Sequence, residues 1–91
     1  MNFFQLEYFM VLAETLNYTK ASEKLHITQP NLSKVIVNLE RTIGCQLFIR
    51  SKREVQLTHA GEVFYEEIKK TMSSYHNAVR KTQEMENGTS G

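Results

Sequence analysis

Residues 1–16 place apolar side chains three and four positions apart, the spacing of one face of an α-helix. One stripe is formed by Leu6, Phe9, Met10, Ala13 and Leu16, and a second by Phe4, Tyr8 and Leu12. A helix that is apolar on two sides must contact two partners. Asn17 breaks this segment, and a short second helix is predicted after it, with Thr19 as its N-cap. Because so short a helix is unstable alone, packing against the rest of the domain must stabilise it.

Residues 28–43 carry the clearest helical pattern. Their apolar positions form a single stripe of Leu32, Val35, Ile36, Leu39 and Ile43. Thr28 is a candidate N-cap, Pro30 falls in the first turn, where a helix tolerates proline, and Gly44 is a natural C-terminal stop. The outward positions near the start of this helix are polar, and they are Gln29, Asn31, Ser33 and Lys34.

From Cys45 to Thr58 the helical period disappears. Residues 47–49 and 55–57 favour short β-strands, and Arg50–Arg53 between them forms a polar tip with three positive charges. This predicts a two-stranded hairpin, with Cys45 as a small wall residue behind it. Three helices and a hairpin over 1–58 predict a mainly α, winged helix-turn-helix domain.

The remainder predicts one long helix over 59–86. Its apolar seam consists of Phe64, Ile68, Met72, Tyr75 and Val79. From Thr58 to Met85 the helix would run about 40 Å, longer than the small preceding domain can cover. The overhang needs a partner, most simply the same helix of a second subunit, so the seam is predicted to be a dimer interface. Residues 87–91 have linker composition.

Charge is distributed unevenly, although the net charge is only +1. Residues 18–58 hold seven basic and three acidic side chains, whereas both flanking segments are acidic. Cys45 is the only cysteine, which excludes an internal disulfide, and the three histidines share no spacing typical of metal ligands. We therefore expect no metal and no cofactor. No apolar run approaches the length of a membrane span, and no secretory signal is indicated.

The polar start of the third helix has the chemistry of a DNA reader, because an α-helix fits the major groove of B-DNA. The Gln29 amide offers a donor and an acceptor suited to adenine, and Lys34 could donate to guanine or phosphate. Asn31 and Ser33 are short enough to let the backbone approach. The basic hairpin tip could contact phosphates or enter the minor groove.

Residues 1–61 resemble the N-terminal DNA-binding domain of the LysR-type transcriptional regulators. The matching stretches are Leu6 with Tyr8-Phe9, Tyr18-Thr19-Lys20-Ala21-Ser22, Leu25-His26-Ile27-Thr28-Gln29-Pro30-Asn31-Leu32-Ser33, Leu39-Glu40, Gly44, Leu47-Phe48, Arg50 and Leu57-Thr58-His59-Ala60-Gly61. Any one dipeptide is a weak signal. In this order and spacing the set is highly specific.

The resemblance implies a third helix in the major groove, a wing against the backbone or minor groove, and a long linker helix that dimerises. It implies an interrupted inverted repeat in promoter DNA as target, and tetramers as dimers of dimers in the full-length protein. By position, Gln29, Pro30, Ser33 and Lys34 match major-groove contacts, and Arg53 matches a wing contact. Asn31 sits at a family-variable position, and Lys34 stands where arginine is common.

Family members also continue into a large domain that binds a small-molecule effector, so 87–91 is interpreted as a flexible hinge stub toward that missing domain. The prediction is a dimeric DNA-binding domain of a bacterial, cytoplasmic, nucleoid-associated regulator, without enzymatic activity. Base-reading residues are predicted to be Gln29, Pro30, Asn31, Ser33 and Lys34, and backbone or wing contacts to be Thr19, Lys20, Thr28, Lys52 and Arg53.

Two alternatives stand beside this prediction. One is a winged-helix protein-interaction module that uses its long helix to dimerise. The other is a small enzyme, but the chain has no Gly-rich phosphate loop, metal cluster or paired carboxylates in a pocket. Charged loop tips such as Lys52 and Arg53 are often merely solvated, and Gln29 and Ser33 could be plain capping residues.

Overall fold

A computed structural model describes residues 1–51 and 54–88 of the chain. Its elements in chain order are α1 (Phe3–Thr15), α2 (Tyr18–Leu25), α3 (Gln29–Ile43), β1 (Phe48–Arg50), β2 (Val55–Leu57) and α4 (His59–Glu86). The predicted fold class is confirmed: three helices and a two-stranded wing precede one long helix.

Short polar side chains begin the helices. Asn2 and Gln5 form a reciprocal capping box at α1, each side chain accepting the other residue's backbone N–H at 3.0 Å. Asn17 caps α2 by accepting from the Lys20 N–H at 2.9 Å. The prediction that Thr19 is this cap was therefore wrong. Thr19 lies inside the first turn, because Asn17 already has extended backbone angles and an acceptor within reach.

The core lies where α1, α2, α3 and the wing meet. Its largest fully buried side chains are Phe9, Leu12, Leu32, Ile36, Leu39 and Leu47. Phe9 packs against Phe48 of β1 and Phe64 of α4, with ring centroids 5.4 and 4.9 Å apart. The second α1 stripe is buried at Leu12, but Phe4 is 67% exposed, so that stripe is only partly covered within one chain.

The wing is an antiparallel pair in which Phe48 faces Leu57 and Arg50 faces Val55. Glu40 of α3 fixes its base, because its Oε2 accepts from the Leu47 N–H at 2.7 Å and the Phe48 N–H at 3.1 Å. The wing is thereby tied to α3. Cys45 is exposed, so its predicted role as a wall residue was wrong: Leu47 and Phe48 fill the space behind the hairpin.

Helix α4 begins at the wing and then leaves the domain. Thr58 caps it by accepting from the Gly61 N–H at 2.9 Å, while its hydroxyl donates to the Gln46 carbonyl at 2.6 Å. The helix has 28 residues, which is about 42 Å of length at 1.5 Å per residue. It accounts for the long dimension of a molecule that measures 53 × 25 × 19 Å.

Candidate nucleic-acid interface

The first turns of α3 present a polar face because the opposite face is buried. Leu32, Ile36 and Leu39 are each at most 1% exposed and turn that side of the helix into the core. The predicted base-reading residues lie away from it: Gln29, Pro30, Asn31 and Lys34 are exposed, and Ser33 is half-buried. The structure therefore brings all five to one end of α3.

Gln29 is held by a hydrogen bond from α3 to α2. Its Nε2 donates to Thr19 Oγ1 at 2.8 Å, across ten positions of sequence. Two other residues predicted to contact the DNA backbone, Lys20 and Thr28, are also exposed. Thr28 Oγ1 also accepts from the Asn31 N–H at 3.3 Å, as expected of an N-cap. One surface thus joins the starts of α2 and α3.

Arg50 connects the wing to both helices. Its guanidinium carbon lies 4.1 Å from the centre of the Tyr18 ring, and its Nη1 donates to Ser33 Oγ at 3.4 Å. Burial raises the pKa of the Tyr18 phenol above its ordinary value, against the opposing effect of the Arg50 charge. The phenol is therefore neutral at physiological pH, and its ring face is available to the cation.

A shallow polar cleft of about 190 Å³ separates the start of α2 from the wing. Asn17, Tyr18 and Thr19 form one side, and Arg50, Ser51, Glu54 and Val55 lie on the other. The hairpin is closed by the Ser51 N–H, which donates to the Glu54 carbonyl at 2.9 Å. The predicted wing contacts Lys52 and Arg53 lie outside the described residues.

Sequence reasoning included Arg50 in the basic tip that could contact DNA, but named neither Arg50 nor Tyr18 as an individual contact. A signal was available, because alternate residues of a strand point to the same face. Arg50 is two positions beyond the buried Phe48 and so points toward the helices. The exposure of Val37 was also not predicted: it is 45% exposed and lines a shallow surface along α3 with Pro30 and Lys34.

The seam of α4 divides into two parts. Phe64, Ile68 and Met72 pack against the core of their own chain. Tyr75 and Val79 are 47% and 38% exposed, although Tyr75 also contacts Phe3, with ring centroids 4.4 Å apart. Only the distal two of the five predicted interface residues therefore expose substantial apolar surface. Whether any of the five meets a second subunit stays a prediction.

None of the helices in residues 1–51 and 54–88 has the length and hydropathy needed to cross a membrane. Within the same residues, no three or more His, Cys, Asp or Glu side chains are grouped so that they could hold a metal ion.

The family model described as bacterial regulatory helix-turn-helix protein, lysR family, matches residues 3–62. The chain belongs to this family. Its fold also agrees with a crystal structure of the BenM DBD in complex with catB site 1 DNA, at a TM-score of 0.92 and 39% identity, covering 97% of this chain and 95% of that one.

Among curated proteins, this LysR-family chain is 45% identical over 73 residues to the Hca operon transcriptional activator HcaR of Escherichia coli K12, covering 80% of the chain. It is 55% identical over 62 residues to the HTH-type transcriptional regulator CatR of Pseudomonas putida, covering 68% of the chain. The chain spans only 25% of the length of HcaR and 21% of that of CatR. The similarity therefore concerns one domain of longer regulators.

Proposed function

We propose that this LysR-family chain binds promoter DNA in a sequence-specific way, as the DNA-binding domain of a bacterial transcription regulator. The observation that carries the proposal is the exposed polar start of α3, where Gln29 and Ser33 are already held by Thr19 and Arg50. Pre-ordered side chains lose less conformational freedom on binding, which favours recognition. Support comes from the 39% identity and the TM-score of 0.92 to the BenM DBD in its DNA complex.

The contacts divide by chemistry into base reading and positioning. We assign base edges in the major groove to Gln29, Pro30, Asn31, Ser33 and Lys34. We assign the phosphate backbone to Thr19, Lys20, Thr28, Lys52 and Arg53. Lys34 supplies a point charge in place of a planar fork, so it discriminates guanine less sharply than an arginine would.

Local charge supports a polyanionic partner even though the chain carries a net charge of only +1. Residues 18–58 hold seven basic and three acidic side chains, and this segment contains α2, α3 and the wing. The acidic excess lies in residues 1–17 and 59–91, which supply α1 and α4. The surface offered to DNA is therefore more positive than the average of the chain.

We further propose a homodimer that joins two of these domains through α4. Two related helix-turn-helix units read two half-sites separated by one or more helical turns, so the target would be an interrupted inverted repeat. The full-length regulator would add a domain for a small-molecule effector and could pair dimers into tetramers. We place its action in the cytoplasm, on the nucleoid, and assign it no enzymatic step.

The decisive experiment starts from binding sites selected from random DNA, followed by mobility shifts over a salt series. We expect Gln29→Ala to cost about 1–3 kcal/mol on the selected site and to relax discrimination at one base pair. Asn77→Ala, which removes an exposed amide on the face of α4 opposite Val79, is the matched control and should change neither quantity. Gln29→Ala with unchanged sequence preference would remove Gln29 from the base-reading set.

The wild-type chain tests the proposal as a whole. A DNA-binding domain should lose affinity steeply with salt because bound phosphates release counterions, and it should retain a preference for the selected site. If no sequence is enriched and no specific shift appears at low salt, the proposed function is refuted. The winged-helix protein-interaction module would then be the better explanation of the same fold.

A further inference from the structure

We infer that Thr19 is a positioning residue that sets base specificity by orienting Gln29. This inference rests on the proposed function, since it assigns a role within the same DNA-reading surface. Gln29 Nε2 lies 2.8 Å from Thr19 Oγ1, and the two residues belong to different helices. Thr19 therefore acts on the reading side chain itself, beyond any contact it makes with phosphate.

Both ends of this hydrogen bond are on well-fixed backbone. Thr19 is in the first turn of α2, where the Asn17 side chain accepts from the Lys20 N–H at 2.9 Å. Gln29 is the first residue of α3, whose N-cap Thr28 is bonded to Asn31. The hydrogen bond thus joins two capped helix starts, which gives the hydroxyl and the amide a defined separation.

The hydrogen bond leaves the Gln29 amide equipped to read adenine. A glutamine side chain has two N–H donors and one carbonyl acceptor. With one N–H donated to Thr19, the second N–H and Oε1 remain, and these are the donor and acceptor that adenine N7 and N6 require. Thr19 therefore accepts from the one amide N–H of Gln29 that is not needed to bind adenine.

The tether also matters because both side chains are exposed. A free surface glutamine samples several rotamers, and fixing it on binding opposes association. Because the Thr19 hydroxyl already restrains the Gln29 side chain, less of its conformational entropy is lost on binding. The gain should appear as discrimination at one base pair, because a disordered amide accepts wrong bases nearly as well as the right one.

The test compares Thr19→Val, which keeps the branched shape without the hydroxyl, with Thr19→Ser, which keeps the hydroxyl. The readout is the ratio of affinities for the selected site and for sites altered at the base pair that Gln29→Ala identifies. We expect Thr19→Val to lower that ratio about two- to tenfold, which corresponds to the net contribution of one hydrogen bond. Thr19→Ser should retain the ratio. Discrimination at the other base pairs should be unchanged in both.

A double-mutant cycle separates positioning from direct contact. In a Gln29→Ala background, Thr19→Val should have no further effect on the ratio. A loss of affinity that is equal for all sequences and persists in that background would indicate a phosphate contact alone and overturn the inference.

Failure of the inference is distinguishable from failure of the proposed function. If the wild type selects a site and Thr19→Val discriminates as well as the wild type does, only the role of Thr19 is refuted. If the wild type selects no site, the proposed function itself falls. Thr19→Ala provides a second variant without the hydroxyl, and circular dichroism checks that each variant is folded.

Discussion

At the guanidinium of Arg50 the three parts of the candidate interface meet. The residue belongs to β1, stacks on Tyr18 of α2 at 4.1 Å, and donates to Ser33 of α3 at 3.4 Å. A planar guanidinium can stack on a ring and donate from its edge at the same time, whereas an ammonium cannot. Arg50 therefore sets the position of the wing relative to the reading helix as well as adding charge.

Arg50→Lys keeps the charge and removes this geometry. We expect a loss of about 0.5–1 kcal/mol in the free energy of unfolding, the range of an exposed cation–π contact, and weaker binding to the selected site. The salt dependence should stay the same because the charge is retained. Urea unfolding and mobility shifts measure these quantities, and Arg41→Lys, exposed in the last turn of α3, is the control. A variant as stable as the wild type would contradict the stacking argument.

The Tyr18 side of the contact is insensitive to pH in the physiological range. Burial raises the pKa of its phenol, so ionisation is harder in the folded than in the unfolded chain. Stability is therefore unaffected by this group below a pH of about 10 and falls as the pH rises beyond it. Replacing Tyr18 by Phe should accordingly keep the stack with Arg50, because the ring face remains.

At the junction of the wing with α4, the two backbones approach each other closely. A Cβ placed on Gly61 would overlap the backbone carbonyl of Leu47, with Leu57 Cδ2 also only 3.0 Å away. The carbonyl cannot move freely, because the adjoining segment is held by Glu40 through the Leu47 and Phe48 N–H groups. Glycine is needed here for close approach of backbone to backbone.

Gly61→Ala should therefore destabilise the fold even though alanine is the better helix former. The steric cost of an extra methyl in a packed site is about 1–3 kcal/mol, against a gain of up to about 1 kcal/mol in helix propensity. Urea unfolding measures the balance. Ser74→Ala, exposed on the same helix, should be neutral or slightly stabilising. A Gly61→Ala chain at least as stable as the wild type would show that the wing can shift away.

The elements were predictable because their apolar residues repeat with the period of the backbone. The stripe of α3 and the range 59–86 of α4 both follow from that period. The N-cap of α2 could not be predicted in this way, because Asn17 and Thr19 are both favourable N-cap residues. Only the path of the chain out of α1 determines which of them begins the helix. The Gln29–Thr19 bond was also out of reach, because periodicity tells which way a residue faces but not which residue of another helix it meets.

At the scale of the whole molecule, α4 extends beyond what one chain covers. The sequence pattern identified the seam but not its division, because the packing of α1 on α4 depends on tertiary structure. Met72 is 9% exposed within its own chain, whereas the more distal Val79 is 38% exposed. A helix that projects from its domain with apolar side chains in water gains little stability from propensity alone. A second α4 would cover them.

Val79→Glu tests this dimer without disturbing the core. We expect the wild type to sediment as a dimer at micromolar concentrations and Val79→Glu to sediment as a folded monomer, because a two-fold interface would bring both new charges into an apolar contact. Ser74→Glu adds the same charge on a different face of the helix and should leave the dimer intact. Met72→Glu is unsuitable, since it would place a charge against the core of its own chain.

The same variant links assembly to DNA recognition. Loss of the dimer should weaken binding to a site with two half-sites, because the second half-site contact becomes a separate bimolecular event. Binding to an isolated half-site should be unchanged, since Val79 is on α4 and the reading surface is on α2, α3 and the wing. A Val79→Glu chain that remains dimeric, or a wild type that is monomeric and binds both targets equally, would rule out α4 as the device that pairs the half-sites.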